Sequence, residues 1–310
     1  MTQDISQLEA VQPASKNEFR LTLDLLFKDK VAMVGAGIIV VFIVLSALAK
    51  VDLRLLTKYS PNALNFAQAN KPPSLSHLFG TDADGRDVFT RVLAALPLDI
   101  TIPFIVVGSG VLIGYGLGLI AGYLGGRIEE LILRLTDLFF AFPAIVLALA
   151  IAGILGQTDL TARLYFSEIA LIIVSWPFYT RLARAQVMYV KSGLFVKAAV
   201  ASGLSSFKIV RKHIIPHVTP IIVAYATLDL GTVILVYSVF AFFGLGATPP
   251  TPELGRMVYD GLNSLPGNWW WSFFPGLILT LLALGFSLLG EGLRDALDPR
   301  RRSQFPGYGR

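Results

Sequence analysis

Six long apolar segments constrain this chain more than any other feature of its sequence. A helix of about 20 apolar residues crosses a hydrocarbon layer roughly 30 Å thick. Backbone groups inside lipid must be hydrogen-bonded within the protein, and the residue alternation of a membrane barrel is not visible. The sequence therefore predicts an all-α fold, a polytopic membrane helical bundle with six transmembrane helices, at 31–49, 100–124, 138–155, 167–182, 221–243 and 272–289.

The composition agrees with a membrane protein. Of the 310 residues, 54% are hydrophobic and 15% are charged, which is more apolar surface than one soluble core of this size needs. Residues 1–18 are polar and lack the basic start and apolar run of a cleaved signal, so we expect the N-terminus to stay in the cytosol. Residues 17–30 are predicted to form an amphipathic helix in the membrane interface.

The distribution of Lys and Arg predicts the orientation. With the N-terminus inside, 18 of the 26 basic residues fall on the cytosolic side and 8 fall outside. The positive-inside rule then gives a multi-pass protein of the inner (cytoplasmic) cell membrane with both termini in the cytosol, and the net charge of +5 needs no nucleic-acid partner. The predicted organisation is a cytosolic segment with an interfacial helix (1–30), a first span (31–49), an extracytoplasmic loop (50–99), a core with spans two to six (100–293) and a cytosolic tail (294–310).

The extracytoplasmic loop carries three closely spaced carboxylates, Asp82, Asp84 and Asp87, around Gly85. A calcium-binding hand needs glycine at its sixth position and glutamate at its twelfth, whereas the glycine here is fourth and the twelfth residue is Leu93. We therefore expect these aspartates to serve as turn and helix-cap residues. No metal site is predicted in this loop.

No residue constellation in the chain is typical of catalysis. A phosphate-binding loop, a nucleophile elbow and the H-E-x-x-H motif are all missing from the sequence. His213 and His217 are four residues apart, but Pro216 lies between them and no third ligand is near, so we predict no metal site there either. The chain is therefore not expected to be an enzyme.

The second predicted span has a glycine at every fourth position, namely Gly110, Gly114, Gly118 and Gly122. Such a stripe lets another helix backbone approach closely. It favours helix packing within this bundle, and a subunit interface is the alternative.

Residues 191–220 form a basic, partly polar interruption between spans four and five. We predict a helix over 191–202, a turn at Gly203 and a second helix over 205–215 that Pro216 stops. The apolar face is larger than a solvated loop leaves exposed, so the segment is predicted to dock into a groove of a soluble partner. This face comprises Leu194, Val196, Ala198, Ala199, Leu204, Phe207, Ile209 and Val210.

The same segment resembles the loop with which inner-membrane subunits of ATP-binding-cassette (ABC) importers contact their ATPases. That loop has the pattern Glu-Ala-Ala, three residues, Gly and, about a dozen residues later, Pro; Ala198, Ala199, Gly203 and Pro216 match it, and Lys197 replaces the glutamate. Nearly the whole chain is similar to the dipeptide, oligopeptide and nickel permease family, in particular its second permease subunit. The stretches that carry this similarity are HLFGTDADGRDVFTR at 77–91, AGYLGG at 121–126, DLFFAFP at 137–143, SWPFYTRLARA at 175–185, FFGLGATPPTPELG at 242–255 and GEGLRDALDPR at 290–300.

The resemblance implies the type I ABC importer permease fold and a role as half of a translocation pathway for dipeptides or oligopeptides. The implied partners are a second permease subunit in a heterodimer, two cytosolic ATP-binding subunits, an extracytoplasmic substrate-binding protein and membrane lipid. ATP and Mg would be bound by the ATPase subunits, so no cofactor is expected in this chain. Contact with the ATPase is assigned by the resemblance to Lys197, Ala198, Ala199, Gly203, Leu204, Phe207, His213 and Pro216.

Two further departures from the family concern the membrane segments. Tyr237 stands where a family glutamate is expected, and ALPLDIT at 95–101 replaces a stretch that contains Gly and Arg. Asp229 lies near the middle of span five, where a charge normally faces protein or water. We name Asp229 and Tyr237 as candidate pathway residues; for Asp229, a structural contact with a polar group on a neighbouring helix is an equal alternative.

Two other functions remain open at the level of sequence. The same importer architecture carries oligosaccharides or nickel in related proteins, and nothing in this chain reports the cargo. An ion-coupled secondary transporter would also be apolar and polytopic, but it should show several intramembrane carboxylates and an internal repeat. Only Asp229 lies near a membrane centre in the predicted spans.

Overall fold

The computed structural model describes residues 16–156 and 162–297, and within them the chain is helical with no β-sheet. Asp29 separates the first two helices and is the N-cap residue of the second. Its carboxylate accepts hydrogen bonds from Val31 N and Ala32 N. The helices are α1 (Lys16–Lys28), α2 (Lys30–Asp52), α3 (Val88–Leu124), α4 (Gly126–Phe140), α5 (Ala144–Leu155), α6 (Arg163–Ser192), α7 (Leu194–Ala201), α8 (Ser206–Ile209), α9 (Ile215–Phe242), α10 (Leu254–Leu262) and α11 (Trp270–Leu297).

The membrane bundle is confirmed, but the count of six spans is not reproduced. Among residues 16–156 and 162–297, four helical stretches are long and apolar enough to cross a bilayer, and a bent pair of helices makes a fifth at most. The four are Lys30–Leu55, Val88–Leu124, Ser206–Phe242 and Trp270–Leu297. Parts of the predicted terminal segments, residues 1–15 and 298–310, lie outside the described residues.

The third predicted span, 138–155, is not one helix. α4 ends at Phe140, Pro143 stands immediately before α5, and the two helices meet at an angle of 81°. Proline has no N–H to donate and its ring clashes with the preceding turn, so it starts a helix more readily than it continues one. The apolar run therefore correctly predicted helical residues, but they belong to two helices that meet at a sharp angle rather than to one straight span.

The fourth predicted span, 167–182, lies inside the longer helix α6. Pro177 is within this helix and does not end it. α6 is 30 residues long, but it is not among the helices that qualify as spans by length and composition. α6 packs against α3 and is more polar than α3 and α9.

The glycine stripe of α3 is the seam between α3 and α6 of the same chain. A Cβ atom added at any of the four glycines would come within 3 Å of an α6 atom. Packing within the bundle is thus the reading that the structure supports, because these glycines are already in contact. The α6 neighbours are Ser175 at Gly110, Trp176 and Tyr179 at Gly114, Thr180 and Ala183 at Gly118, and Val187 at Gly122.

The segment between α2 and α3 folds back onto the bundle. Its aspartates are turn and cap residues, as predicted: Asp82 Oδ2 accepts from Arg86 Nε at 2.7 Å, and Asp87 Oδ1 caps α3 by accepting from Thr90 N at 2.7 Å. Trp270 and Trp271 both donate from their indole nitrogens to the Thr81 carbonyl, at 3.1 and 2.7 Å. α3 begins at Val88, so the last part of the predicted loop 50–99 is helical.

Candidate docking site

The segment 191–220 forms a helical hairpin with Gly203 at its tip. α7 ends in a Schellman motif, in which Leu204 N donates to Ala199 O at 3.3 Å and Gly203 N donates to Val200 O at 3.0 Å. Gly203 has φ +75°, a left-handed conformation that glycine adopts without steric cost. The glycine turn that the sequence predicted is therefore present, with the hydrogen bonds that define it.

Pro216 does not stop the second helix, contrary to the sequence prediction. α8 passes through a π-helical turn at Val210–Ile214 directly into α9, and Pro216 occupies the first turn of α9. An interior proline cannot donate to the carbonyl four residues earlier, and the wider π turn just before it avoids that requirement. The docking segment consequently continues into the fifth predicted span as one helical stretch, Ser206–Phe242.

Some side chains of the predicted apolar face are buried against the bundle, and others are exposed. Val196, Ala199 and Ile209 are buried against the bundle and hold the hairpin in place. Phe207 is 72% exposed, and Leu194 is 63% exposed. The exposed apolar side chains of the hairpin are Leu194, Val200, Leu204 and Phe207.

Positive charge surrounds these exposed apolar side chains. All four basic side chains between residues 195 and 212 are exposed, and none forms an ion pair with another residue in 16–156 or 162–297. Ala198, which lies beside Lys197, is exposed as well. The surface is thus apolar at its centre and basic at its edge. The four residues are Lys197, Lys208, Arg211 and Lys212.

Both arms of the hairpin are tied to the C-terminal half of α3. Lys191 Nζ donates to Tyr123 O at 2.6 Å where the hairpin begins, and Tyr115 Oη lies 2.8 Å from Thr219 Oγ1 where it ends. These contacts let the hairpin move with the membrane helices rather than as a free loop. Sequence reasoning missed them because the partners lie about 70 and 100 residues away along the chain.

His213 has a packing role in this hairpin. The Phe195 ring stacks on the His217 ring with centroids 5.0 Å apart, and the centroid of the His213 ring lies 6.1 Å from that of Phe195. The His213 carbonyl also accepts a hydrogen bond from His217 Nδ1 at 2.7 Å. Phe195, which the sequence did not single out, thereby joins α7 to the start of α9.

The two candidate pathway residues have different surroundings. Asp229 is half-buried, and Tyr179 Oη of α6 donates to its Oδ2 at 2.7 Å, which is the polar partner on a neighbouring helix that the alternative required. Tyr237 is 1% exposed and points into the interior of the chain's own bundle. Tyr237 therefore lines no open surface of the chain by itself, and its assignment to the pathway stays a prediction.

Comparison with known families decides what kind of protein carries this hairpin. Residues 114–303, which include the whole hairpin, match the family described as "Binding-protein-dependent transport system inner membrane component". The chain belongs to this family. Residues 18–73 of the permease also match the N-terminal TM domain of oligopeptide transport permease C.

Curated relatives align with the permease over almost its full length. The probable D,D-dipeptide transport system permease protein DdpC of Escherichia coli (strain K12) is 37% identical over 95% of this chain and 96% of its own. The dipeptide transport system permease protein DppC of Alkalihalophilus pseudofirmus is 40% identical over 96% and 93%. The oligopeptide transport system permease protein OppC of Bacillus subtilis (strain 168) is 33% identical over 93% and 92%.

A solved structure shares the fold. The permease resembles a chain of the MetNI methionine ABC transporter in an inward-facing conformation, with a TM-score of 0.54 and 20% sequence identity. The similarity covers 68% of this chain and 96% of that one. This confirms the type I importer permease fold that the sequence resemblance implied.

Proposed function

We propose that the permease forms half of the translocation pathway of an ATP-driven peptide importer and that cytosolic ATPase subunits dock on the hairpin 191–220. The observation that carries this proposal is the exposure of Phe207 on a hairpin whose base is buried and tied to α3. An apolar ring held rigidly in the open is the usual centre of a helix-in-groove contact. The hairpin would act as a lever, because ATPase closure would move it together with α6 and α9.

Peptides are the proposed cargo. The support is the names of the relatives, which include dipeptide, oligopeptide and glutathione transport permeases at 33–40% identity. An extracytoplasmic binding protein would deliver the peptide, and a second permease subunit would complete the pathway. This chain would make no covalent bond itself, and ATP and Mg would be held by the ATPase subunits.

The proposed orientation places the hairpin and both termini in the cytosol. Its support is the excess of basic residues in the segments on that side, which membrane insertion retains in the cytosol. The hairpin alone contributes five exposed cations to this excess, since Lys191 adds to the four already named.

Charge complementarity indicates which kind of ATPase surface would bind the hairpin. The usual glutamate of the loop is replaced by Lys197, and the neighbouring cations carry the same sign. A groove with acidic side chains at its rim would therefore fit this permease better than a basic one. The apolar centre of the groove would receive Phe207 and Leu204.

The test is co-purification of the ATPase subunits with a Phe207→Asp variant. A buried carboxylate in the groove would weaken binding by at least tenfold, since the lost apolar contact and the desolvated charge together exceed about 1.4 kcal/mol. Phe66→Asp is the matched control, because Phe66 is 69% exposed on the opposite, extracytoplasmic side. Equal ATPase recovery from the wild type and the Phe207→Asp variant, both correctly inserted, would refute the proposed docking site.

A further inference from the structure

Three buried side-chain atoms lack a hydrogen-bond partner in the described part of the chain: Asp99 Oδ1, Tyr237 Oη and Glu253 Oε1. All three residues are almost fully buried, with exposures of 2%, 1% and 0%. They come from α3, from α9 and from the residue that precedes α10. Buried polar atoms are nearly always paired, so three such atoms in one protein call for an explanation.

The three residues meet at one point of the bundle. Leu254 N donates to Asp99 Oδ2 at 3.2 Å, which brings Glu253 next to α3. The Tyr237 hydroxyl faces the Glu253 carboxylate without closing a hydrogen bond of ordinary geometry. Asp99 belongs to the stretch 95–101, so the two departures from the family pattern that the sequence showed separately are brought together here.

No described cation neutralises the two carboxylates. Neither forms an ion pair within 16–156 or 162–297. Arg256, which faces Glu253 from α10, is bound through its Nε to Asp260 at 2.8 Å. From α6, Glu168 adds a further negative group near Tyr237, and α11 presents no charged residue between Trp270 and Gly290.

Arg163, the cation at the start of α6, is held by backbone carbonyls. Its Nε and Nη1 donate to the carbonyls of Gly156 and Gly244, each at 3.3 Å. It is thereby held at the rim of the loop that follows α9. The carboxylates of Asp99 and Glu253 are left with one backbone donor each, Leu254 N and Ala247 N.

We propose that Asp99, Tyr237 and Glu253 form a binding site for one proton, which the two carboxyl groups share through the tyrosine hydroxyl. One added proton satisfies all three unpartnered atoms: the carboxyl that holds it, Asp99 or Glu253, donates to Tyr237 Oη, and Tyr237 O–H donates to the other carboxylate. The proton also removes one of two like charges that could not both be ionised in a dry site. The unpartnered Tyr237 hydroxyl is what distinguishes this site from a mere pair of buried acids.

The proton site fastens the segment between α9 and α10 to α3. Glu253 also binds the Ala247 backbone at 2.8 Å, so its charge state affects the whole turn after α9. Burial raises the pKa of Glu253 to about 7, which agrees with proton uptake near neutral pH. Because α9 begins at the docking hairpin, loss of the proton acts on the helix that would also transmit ATPase closure.

The sign of the pH dependence follows from the raised pKa. Between the ordinary glutamate pKa of 4.5 and about 7, the folded protein binds more protons at this site than the unfolded chain does. The contribution to stability is therefore complete below pH 4.5 and is lost as the pH rises through about 7.

The test is infrared difference spectroscopy of the assembled transporter in lipid nanodiscs, wild type against Asp99→Asn and Glu253→Gln. We expect a protonated-carboxyl band at about pH 7 that disappears on titration to higher pH and is missing from at least one of the two variants. The band should persist in Asp260→Asn, a matched control on α10 whose carboxylate is partly exposed and paired. Tyr237→Phe should move the band to higher frequency, because the carboxyl loses a hydrogen-bond partner; a purely structural tyrosine would leave it in place.

Thermal unfolding of the same samples gives a second readout. The melting temperature of the wild type should fall as the pH rises through about 7, and that of Glu253→Gln should fall less. No carboxyl band at neutral pH, or a band indifferent to both variants, would overturn the proposal. A melting temperature raised at high pH by sodium chloride and not by choline chloride would overturn it in favour of a metal-cation site.

Discussion

At the scale of single residues, the docking hairpin depends on Gly203. Its φ of +75° lets α7 close its Schellman motif and turn directly into α8. A Cβ atom at this position would meet no other atom within 4 Å, so the only obstacle to another residue is backbone strain. The pattern match predicted the glycine turn correctly, because the requirement for a left-handed residue is local and visible in sequence.

We predict that Gly203→Ala costs about 1 kcal/mol in the geometry of the hairpin. That cost corresponds to an affinity for the ATPase subunits up to about fivefold lower, measured by titrating ATPase onto the purified permease heterodimer. Gly108→Ala is the control, since Gly108 is helical and its added Cβ also meets nothing within 4 Å. Equal losses in the two variants would show that the turn geometry is unimportant.

The cluster of Asp99, Tyr237 and Glu253 could not be predicted from the sequence. Leu254 and Asp99 are 155 positions apart in the chain and are joined only by the packing of α3, α9 and α10. The sequence did flag Tyr237 and the stretch 95–101 as departures from the family pattern, but it gave no sign that the two lie together. The burial of Tyr237 is a tertiary property that one sequence does not display.

At the scale of helices, apolar length predicted four of the helices that can cross a membrane, while proline alone did not predict helix ends. Pro177 lies within α6, Pro216 enters the first turn of α9, and Pro143 separates α4 from α5. A missing N–H is common to all three, and the neighbouring turns decide whether the helix bends, widens or stops. Those turns depend on tertiary contacts that one sequence does not display.

The seam between α3 and α6 provides a prediction at this scale. Gly118→Val should destabilise the permease by about 1–3 kcal/mol, because the new side chain would push against Thr180 and Ala183 of α6. Gly116→Val on the same helix is the matched control, since its added Cβ meets nothing within 4 Å. The measurement is the thermal unfolding of the two variants in the same detergent, and comparable melting temperatures would argue against a close seam.

At the scale of the whole molecule, α9 connects the docking hairpin to the cluster of Asp99, Tyr237 and Glu253. The hairpin is joined by α9 to the proton site at the other end of that helix, and by Lys191 and Thr219 to α3. Two global states that differ in ATPase closure could therefore be biased from either end, which is the requirement for allosteric coupling. The family resemblance implied that separate ATPase subunits drive the permease. The contacts of the hairpin with α3 and α9 are the ones that would transmit their closure.

The most direct test of the central claim is site-specific crosslinking from position 207 in the assembled transporter. The chain contains no cysteine, so Phe207→Cys and Phe66→Cys each introduce one unique thiol for a short thiol-reactive photocrosslinker. The account predicts an adduct between the permease and an ATPase subunit from position 207 and none from position 66. An ATPase adduct from position 66, or none from position 207 in an assembled and transport-active complex, would contradict it.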